Sequence, residues 1–139
     1  EPNNDGSIPT TTYPSLKTYP TGAKGIVSVF ESGATPYVWK TTSFTRPASS
    51  NLQVYELLVR DFVADRRYKT VADSLGYLKK LGINALELMP VAEFSGNDSW
   101  GYNPIFYTAP DKAYGTKNDL KYLIDKCHEN GIAVIMDIG

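Results

Sequence analysis

Histidine and cysteine, the side chains most often recruited for metal ligation and nucleophilic chemistry, are almost missing: 139 residues hold one of each, Cys127 and His128. A lone cysteine excludes an internal disulfide and a multi-cysteine zinc site and leaves the redox compartment open. No excess of one charge exists either. Lys and Arg number 14 against 15 Asp and Glu, for a formal charge of −1. That balance gives no basic field for nucleic acid and no cationic face for an anionic membrane, so the expected partner is neutral. No apolar run reaches the roughly 20 residues that a membrane-spanning helix needs. The start, Glu1-Pro2-Asn3-Asn4-Asp5-Gly6, has neither the basic flank nor the apolar stretch of a secretory signal. Because the chain opens without Met, we expect that something upstream was removed.

What is present suffices for one core: 42% of residues are hydrophobic and 21% charged. Up to about Pro47 the chain is rich in Thr, Ser, Pro and Gly. It contains one expected strand, Gly25-Ile26-Val27-Ser28-Val29-Phe30, before the turn-like Ser32-Gly33-Ala34-Thr35-Pro36. We read residues 1–50 as a leader or linker and residues 51–139 as one domain. From Asn51 apolar strands alternate with periodic helices, the mark of βαβ units and a parallel sheet.

The first strand is read as residues 54–62, and a helix follows with Thr70 as N-cap, Val71, Leu75 and Leu78 as its stripe and Gly82 as its stop. A second strand covers residues 85–91. Thr116 and Asp119 then open a second helix, with Leu120, Leu123, Ile124 and Cys127 on one face and Gly131 closing it, and a third strand covers 133–138. Cys127 on that stripe is expected to be a small core residue, and His128 a solvent-exposed group near the helix end. Lys117, Lys121, Asp125, Lys126 and Glu129 read as a solvated face with an incidental Lys121–Asp125 pair.

Between the second strand and its helix, residues 92–115 form a loop far beyond the usual about 2–6 residues. Long loops at the carboxyl ends of parallel strands are where α/β folds place ligands. This one interleaves Trp100, Tyr102, Phe106, Tyr107 and Tyr114 with Asn, Asp and Ser, a mixture suited to the C–H faces and hydroxyls of a sugar. The competing reading is a surface loop whose aromatics pack on one another.

Several segments, in order and at matching spacing, carry a resemblance. They are Val54-Tyr55-Glu56-Leu57 with Arg60-Asp61-Phe62; Gly82-Ile83-Asn84-Ala85-Leu86-Glu87-Leu88-Met89-Pro90-Val91; Trp100-Gly101-Tyr102-Asn103-Pro104; Tyr107 with Ala109-Pro110; Tyr114-Gly115-Thr116; and Gly131-Ile132-Ala133-Val134-Ile135-Met136-Asp137. Together they resemble glycoside hydrolase family 13, the α-amylase family. The resemblance implies an α/β fold: strands one to three and helices one and two of a (β/α)8 TIM barrel, preceded by the tail of a β-sandwich domain. It implies an α-glucan substrate, Tyr102 as a stacking platform for a sugar ring, Trp100 and Asn103 shaping the same pocket, and Asp137 near it. The family's Asp-x-x-x-Asn-His segment matches only at Asp137, so calcium and the histidine contact do not carry over and the cofactor is left unknown. The family's nucleophile aspartate, acid/base glutamate and further aspartate have no counterparts among these residues, whereas retaining hydrolysis needs two carboxylates about 5–5.5 Å apart.

Glu56, Glu87, Glu93 and Asp61 match no catalytic position of the family and are set aside; Glu56 and Glu87 are expected to serve barrel ion pairs, with Arg60 as a partner. Three strands of a closed barrel would leave two edges, so self-association or association with the rest of the barrel is expected. Two other readings stay open: a noncatalytic carbohydrate-binding or structural module, and a flavodoxin-like domain, which would need a phosphate loop that neither strand is followed by.

Overall fold

The computed structural model describes residues 13, 16–96 and 98–139. Three short strands, β1 (Val54–Leu57), β2 (Ala85–Leu88) and β5 (Ala133–Met136), form a parallel sheet in the order β1-β2-β5. In register, Glu56 lies beside Glu87 and Glu87 beside Ile135, while Leu57, Leu88 and Met136 align one residue further on. Alternation therefore sends Leu57, Leu86 and Leu88 to the side packed by helices and Glu56, Glu87 and Ile135 to the other. Helices α2 (Tyr68–Asp73), α3 (Leu75–Lys80) and α4 (Lys117–Glu129) supply that packed side. The core joins Leu57, Leu86, Leu88, Val71, Leu75, Leu78, Leu123, Cys127 and Ile132 with Tyr68, Phe94 and Tyr114.

The second helix begins as its sequence dictates. Thr116 accepts from the Asp119 amide, and the Asp119 carboxylate accepts from the Thr116 amide, a complete capping box. Cys127 is buried on its stripe, and burial pushes its thiol up to about 12, so it is an inert core group.

Elsewhere the structure corrects the reading. The first strand stops at Leu57, and Val59–Phe62 forms a single helical turn, α1, in which Val59 is buried and Phe62 packs partly against the core. Thr70 caps nothing: its hydroxyl donates to Asp65 at 2.6 Å, the helix starts at Tyr68, and a break at Ser74 divides it into α2 and α3. Residues 25–30 form no strand, only an isolated bridge at Val27, with Phe30 almost fully exposed. Arg60 pairs with Asp61 at 2.7 Å and Asp98 at 2.9 Å, not with the strand glutamates.

The expected solvated pair Lys121–Asp125 is also overturned. Asp125 is 3% exposed and accepts from the Lys40 and Thr41 amides, each at 2.9 Å, and from the Tyr37 hydroxyl at 3.1 Å. Burial alone would raise its carboxyl, but those hydrogen bonds together hold it below the usual carboxylate range. His128 is half-buried rather than solvated, its ring stacked on Phe44 at 4.2 Å, and burial lowers its pKa. Residues 37–44 are thus a strap fastened along α4.

Candidate functional site

The long loop after β2 folds into an antiparallel hairpin, β3 (Ala92–Phe94) with β4 (Pro104–Pro110), and irregular register on both sides of Glu93. Its inner residues join the main core: Phe94, Ala109, Ala113 and Tyr114 are buried, and Tyr114 meets Phe94 of the hairpin and Tyr68 of α2 edge to face. Its outer residues do the opposite. Trp100, Tyr102 and Tyr107 are 61%, 48% and 66% exposed. The loop therefore divides into a face packed inward and a face whose aromatics are open to solvent.

Gly101 fixes where the outer aromatics stand. Its φ is +96°, and a Cβ there would sit 2.4 Å from the Pro90 carbonyl oxygen, so only glycine lets the loop lie against the end of β2. The next residue, Tyr102, then reaches across to the end of β5, where its hydroxyl donates to Asp137 at 2.5 Å. Asp137 is itself tied to the sheet, its amide donating to Leu88 O at 3.0 Å. The hydrogen bond to Asp137 above all, then partial burial and the charges of Asp137, Glu56 and Glu87, push the Tyr102 hydroxyl up to about 12. It stays protonated at neutral pH and remains a donor. The result is a half-exposed ring beside carboxylates at the carboxyl ends of parallel strands, able to stack on an apolar face while the acids accept hydroxyls.

Of the four residues expected at the site, Tyr102 and Asp137 are brought together. Asn103 is exposed, but its amide is engaged within the loop: it accepts from Ser99 Oγ and donates to Ser95 O at 3.2 Å. Trp100 stands exposed on the same segment. Among the described residues no cluster of His, Cys, Asp and Glu is arranged to hold a metal ion, and no helix is long and apolar enough to cross a membrane. A cavity of about 540 Å³ opens along β5 between Trp39, Tyr107, Leu120, Ile124, Met136 and Asp137; its walls are mainly apolar and do not include Tyr102.

Sequence reading missed the polar groups beneath the hairpin. Glu93 and Lys112 are both buried and form an ion pair at 2.5 Å. Asp111, equally buried, accepts from Ala113 N at 2.7 Å and Phe94 N at 3.3 Å. Burial and the Glu93 charge push its carboxyl up to about 7. No periodicity announces these residues; the one signal was a charge set among apolar neighbours in Val91-Ala92-Glu93-Phe94.

A parallel strand–helix repeat with a long aromatic loop at its strand ends is the opening part of a TIM-barrel enzyme architecture. Comparison with known proteins makes the assignment specific: residues 42–138 match the family model "Alpha amylase, catalytic domain". The chain belongs to that family, glycoside hydrolase family 13. It is 30% identical over 125 residues to malto-oligosyltrehalose trehalohydrolase of Saccharolobus solfataricus, covering 90% of this chain and 22% of that protein. It is 39% identical over 104 residues to 1,4-alpha-glucan branching enzyme GlgB of Picrophilus torridus, covering 71% of this chain and 15% of that one. A crystal structure from Salmonella typhimurium, named as a candidate alpha amylase, superposes with a TM-score of 0.75 at 35% identity, over 83% of this chain and 19% of that one. The chain thus spans about a fifth of the length of such relatives.

Proposed function

We propose that this chain is the first part of the catalytic barrel of an enzyme that cleaves or transfers α-1,4 or α-1,6 glucosidic bonds in starch-like glucans with retention of configuration. Residues 1–50 are the tail of a preceding β-sandwich domain, and the nucleophile and acid/base come from outside these 139 residues. The chain contributes one wall of the sugar pocket. Tyr102 is the platform, Asp137 orients it, and Trp100 and Asn103 shape the loop that carries it. The observation that carries this reading is the Tyr102–Asp137 hydrogen bond, which holds an exposed ring over the strand ends. Relatives named for trehalohydrolase and glucan branching support the substrate class. Without nucleophile and acid the 139-residue chain alone should be inactive. The apolar cavity beside β5, an edge strand among the described residues, suits packing by a further strand–helix unit, so the chain should be prone to associate with itself or with the rest of the barrel.

The experiment is incubation of the full-length protein, and separately of residues 1–139, with soluble starch and a maltooligosaccharide. Expected from the full-length protein alone are either new reducing ends, with the α-anomer formed first by NMR, or new α-1,6 branch points. Absence of any change, or the β-anomer formed first, defeats the reading. A noncatalytic binding module would bind the maltooligosaccharide and leave it intact.

A further inference from the structure

The buried ion pair under the hairpin has no part in the sugar wall, yet it sits where the loop closes on itself. Glu93 is 0% exposed and Lys112 3%. One Glu93 oxygen accepts from the Lys112 ammonium at 2.5 Å and the other from the Lys112 backbone amide at 2.9 Å, so residues 19 apart in sequence are pinned at two points. The same ammonium donates to Gly96 O at 3.3 Å, at the bend from which the chain runs on to Trp100, Gly101 and Tyr102. Alongside, Asp111 draws in the amides of Phe94 and Ala113, and its own amide donates to Val91 O at 2.8 Å. The neck of the loop is therefore held by directional bonds to charged groups, and the Tyr102 segment hangs from that neck.

Stability is a poor explanation for this arrangement. Taking two charges out of water offsets most of their attraction, and an apolar pair of similar volume commonly does as well or better. What an apolar pair lacks is direction: it fills the space but does not specify which carbonyl the neck must face. An ion pair with three fixed hydrogen bonds does.

We propose that Glu93 and Lys112 are positioning residues of the glucan site: through Gly96 and the loop neck they set the place of the Tyr102 ring against Asp137, without touching the sugar. The proposal rests on the reading of Tyr102 as a platform and names two residues which that reading does not include.

The test uses the full-length enzyme carrying E93L/K112M, with Y102A as reference. If the pair positions the ring, E93L/K112M should melt within a few degrees of the wild type while kcat on a maltooligosaccharide falls at least about tenfold, and hydrogen exchange at residues 100–103 should quicken. Wild-type kcat and KM at unchanged melting temperature would show that any filler serves and would overturn the proposal. Should the double variant not fold, E93D decides: it keeps the charge but draws the carboxylate back from the Lys112 ammonium and amide by about one methylene, and is expected to lower kcat with little change in melting temperature. Wild-type kinetics in E93D overturn the proposal. Should Y102A itself leave kcat/KM unchanged, the platform reading falls and this inference with it. If Y102A is impaired and the Glu93 and Lys112 variants are not, only this inference falls.

Discussion

Asp125→Ala is expected to unfasten the strap that crosses α4. The carboxylate is 3% exposed and takes three hydrogen bonds, from Tyr37, Lys40 and Thr41, across more than 80 residues of sequence. Removing it leaves two backbone amides without an acceptor, and each such loss costs about 1–3 kcal/mol when the donor stays buried. Lys40 is exposed and Thr41 half-buried, so water partly rescues both and the low end of that range applies, giving a total of about 2–3 kcal/mol. Against this, two anchors on the helix survive the substitution, the Thr41 hydroxyl bonded to Asp125 O at 3.3 Å and the Phe44–His128 stack, each worth about 0.5–1.5 kcal/mol. The loss is at least as large as what is left, so the strap should loosen from the helix while the sheet stays folded. Hydrogen exchange should show faster amides at 37–44 with little change in β2, and Trp39 emission should shift to the red. The depressed Asp125 pKa gives a second handle with a definite sign: its contribution is full above the ordinary carboxylate pKa and lost as pH falls through the lower folded value, so acid should release the strap in the wild type and change nothing in D125A. Equal protection of residues 37–44 in wild type and D125A at neutral pH would refute the reasoning.

Tyr102→Ala in the full-length enzyme should lower kcat/KM roughly 30- to 150-fold with a small change in melting temperature, because the ring is half exposed and little core is lost; Tyr102→Phe, which keeps the ring and removes the bond to Asp137, should fall between. A kinetic loss that merely tracks the unfolded fraction would return Tyr102 to a structural role. Asp111, its folded pKa pushed up to about 7, contributes stability that is full below the ordinary carboxylate pKa of about 3.9 and lost as pH rises through 7; Asp111→Asn, which mimics the protonated form, should flatten the fall in melting temperature between those limits, and an unaltered slope would count against it. Tyr68→Phe removes a buried hydroxyl that has no partner among the described residues and should leave stability unchanged or raise it by up to about 1 kcal/mol in chemical denaturation; a loss larger than that would reveal a bond to that hydroxyl.

Features set by neighbours in sequence were legible. The Thr116–Asp119 box is a bond between residues three apart, and the corners at Gly82 and Gly131 follow from helices that run straight into strands. The three parallel strands and their order follow from alternation and short connections, and the Tyr102 segment stood out because a loop that long at a strand end has few purposes. Features set by distant partners were not legible. Helical spacing pairs Asp125 with Lys121, yet the strap offers it amides already fixed in place, which a flexible lysine on the surface cannot match. Thr70 has the sequence of a cap, but Asp65 takes its hydroxyl first. The apolar texture of residues 58–62 fits a strand as well as a helical turn, and the choice rests on packing that only the folded chain supplies.

The hairpin shows why composition alone could not decide between a self-packed loop and a sugar surface. Two strands of three and seven residues cannot hold a shape in water by themselves. Some side chains must therefore be spent inward, and Phe94, Ala109, Ala113 and Tyr114 are. An aromatic that faces outward cannot be held by burial. Its position must come from the backbone, and for Tyr102 it does: Gly101 pressed on Pro90 from one side, Asp137 bonded from the other, and Gly139 packed so close to the Tyr102 backbone that a Cβ there would meet its Cα at 2.8 Å. Exposure and fixed placement are compatible only because the constraints fall on glycines and a hydroxyl rather than on the face of the ring.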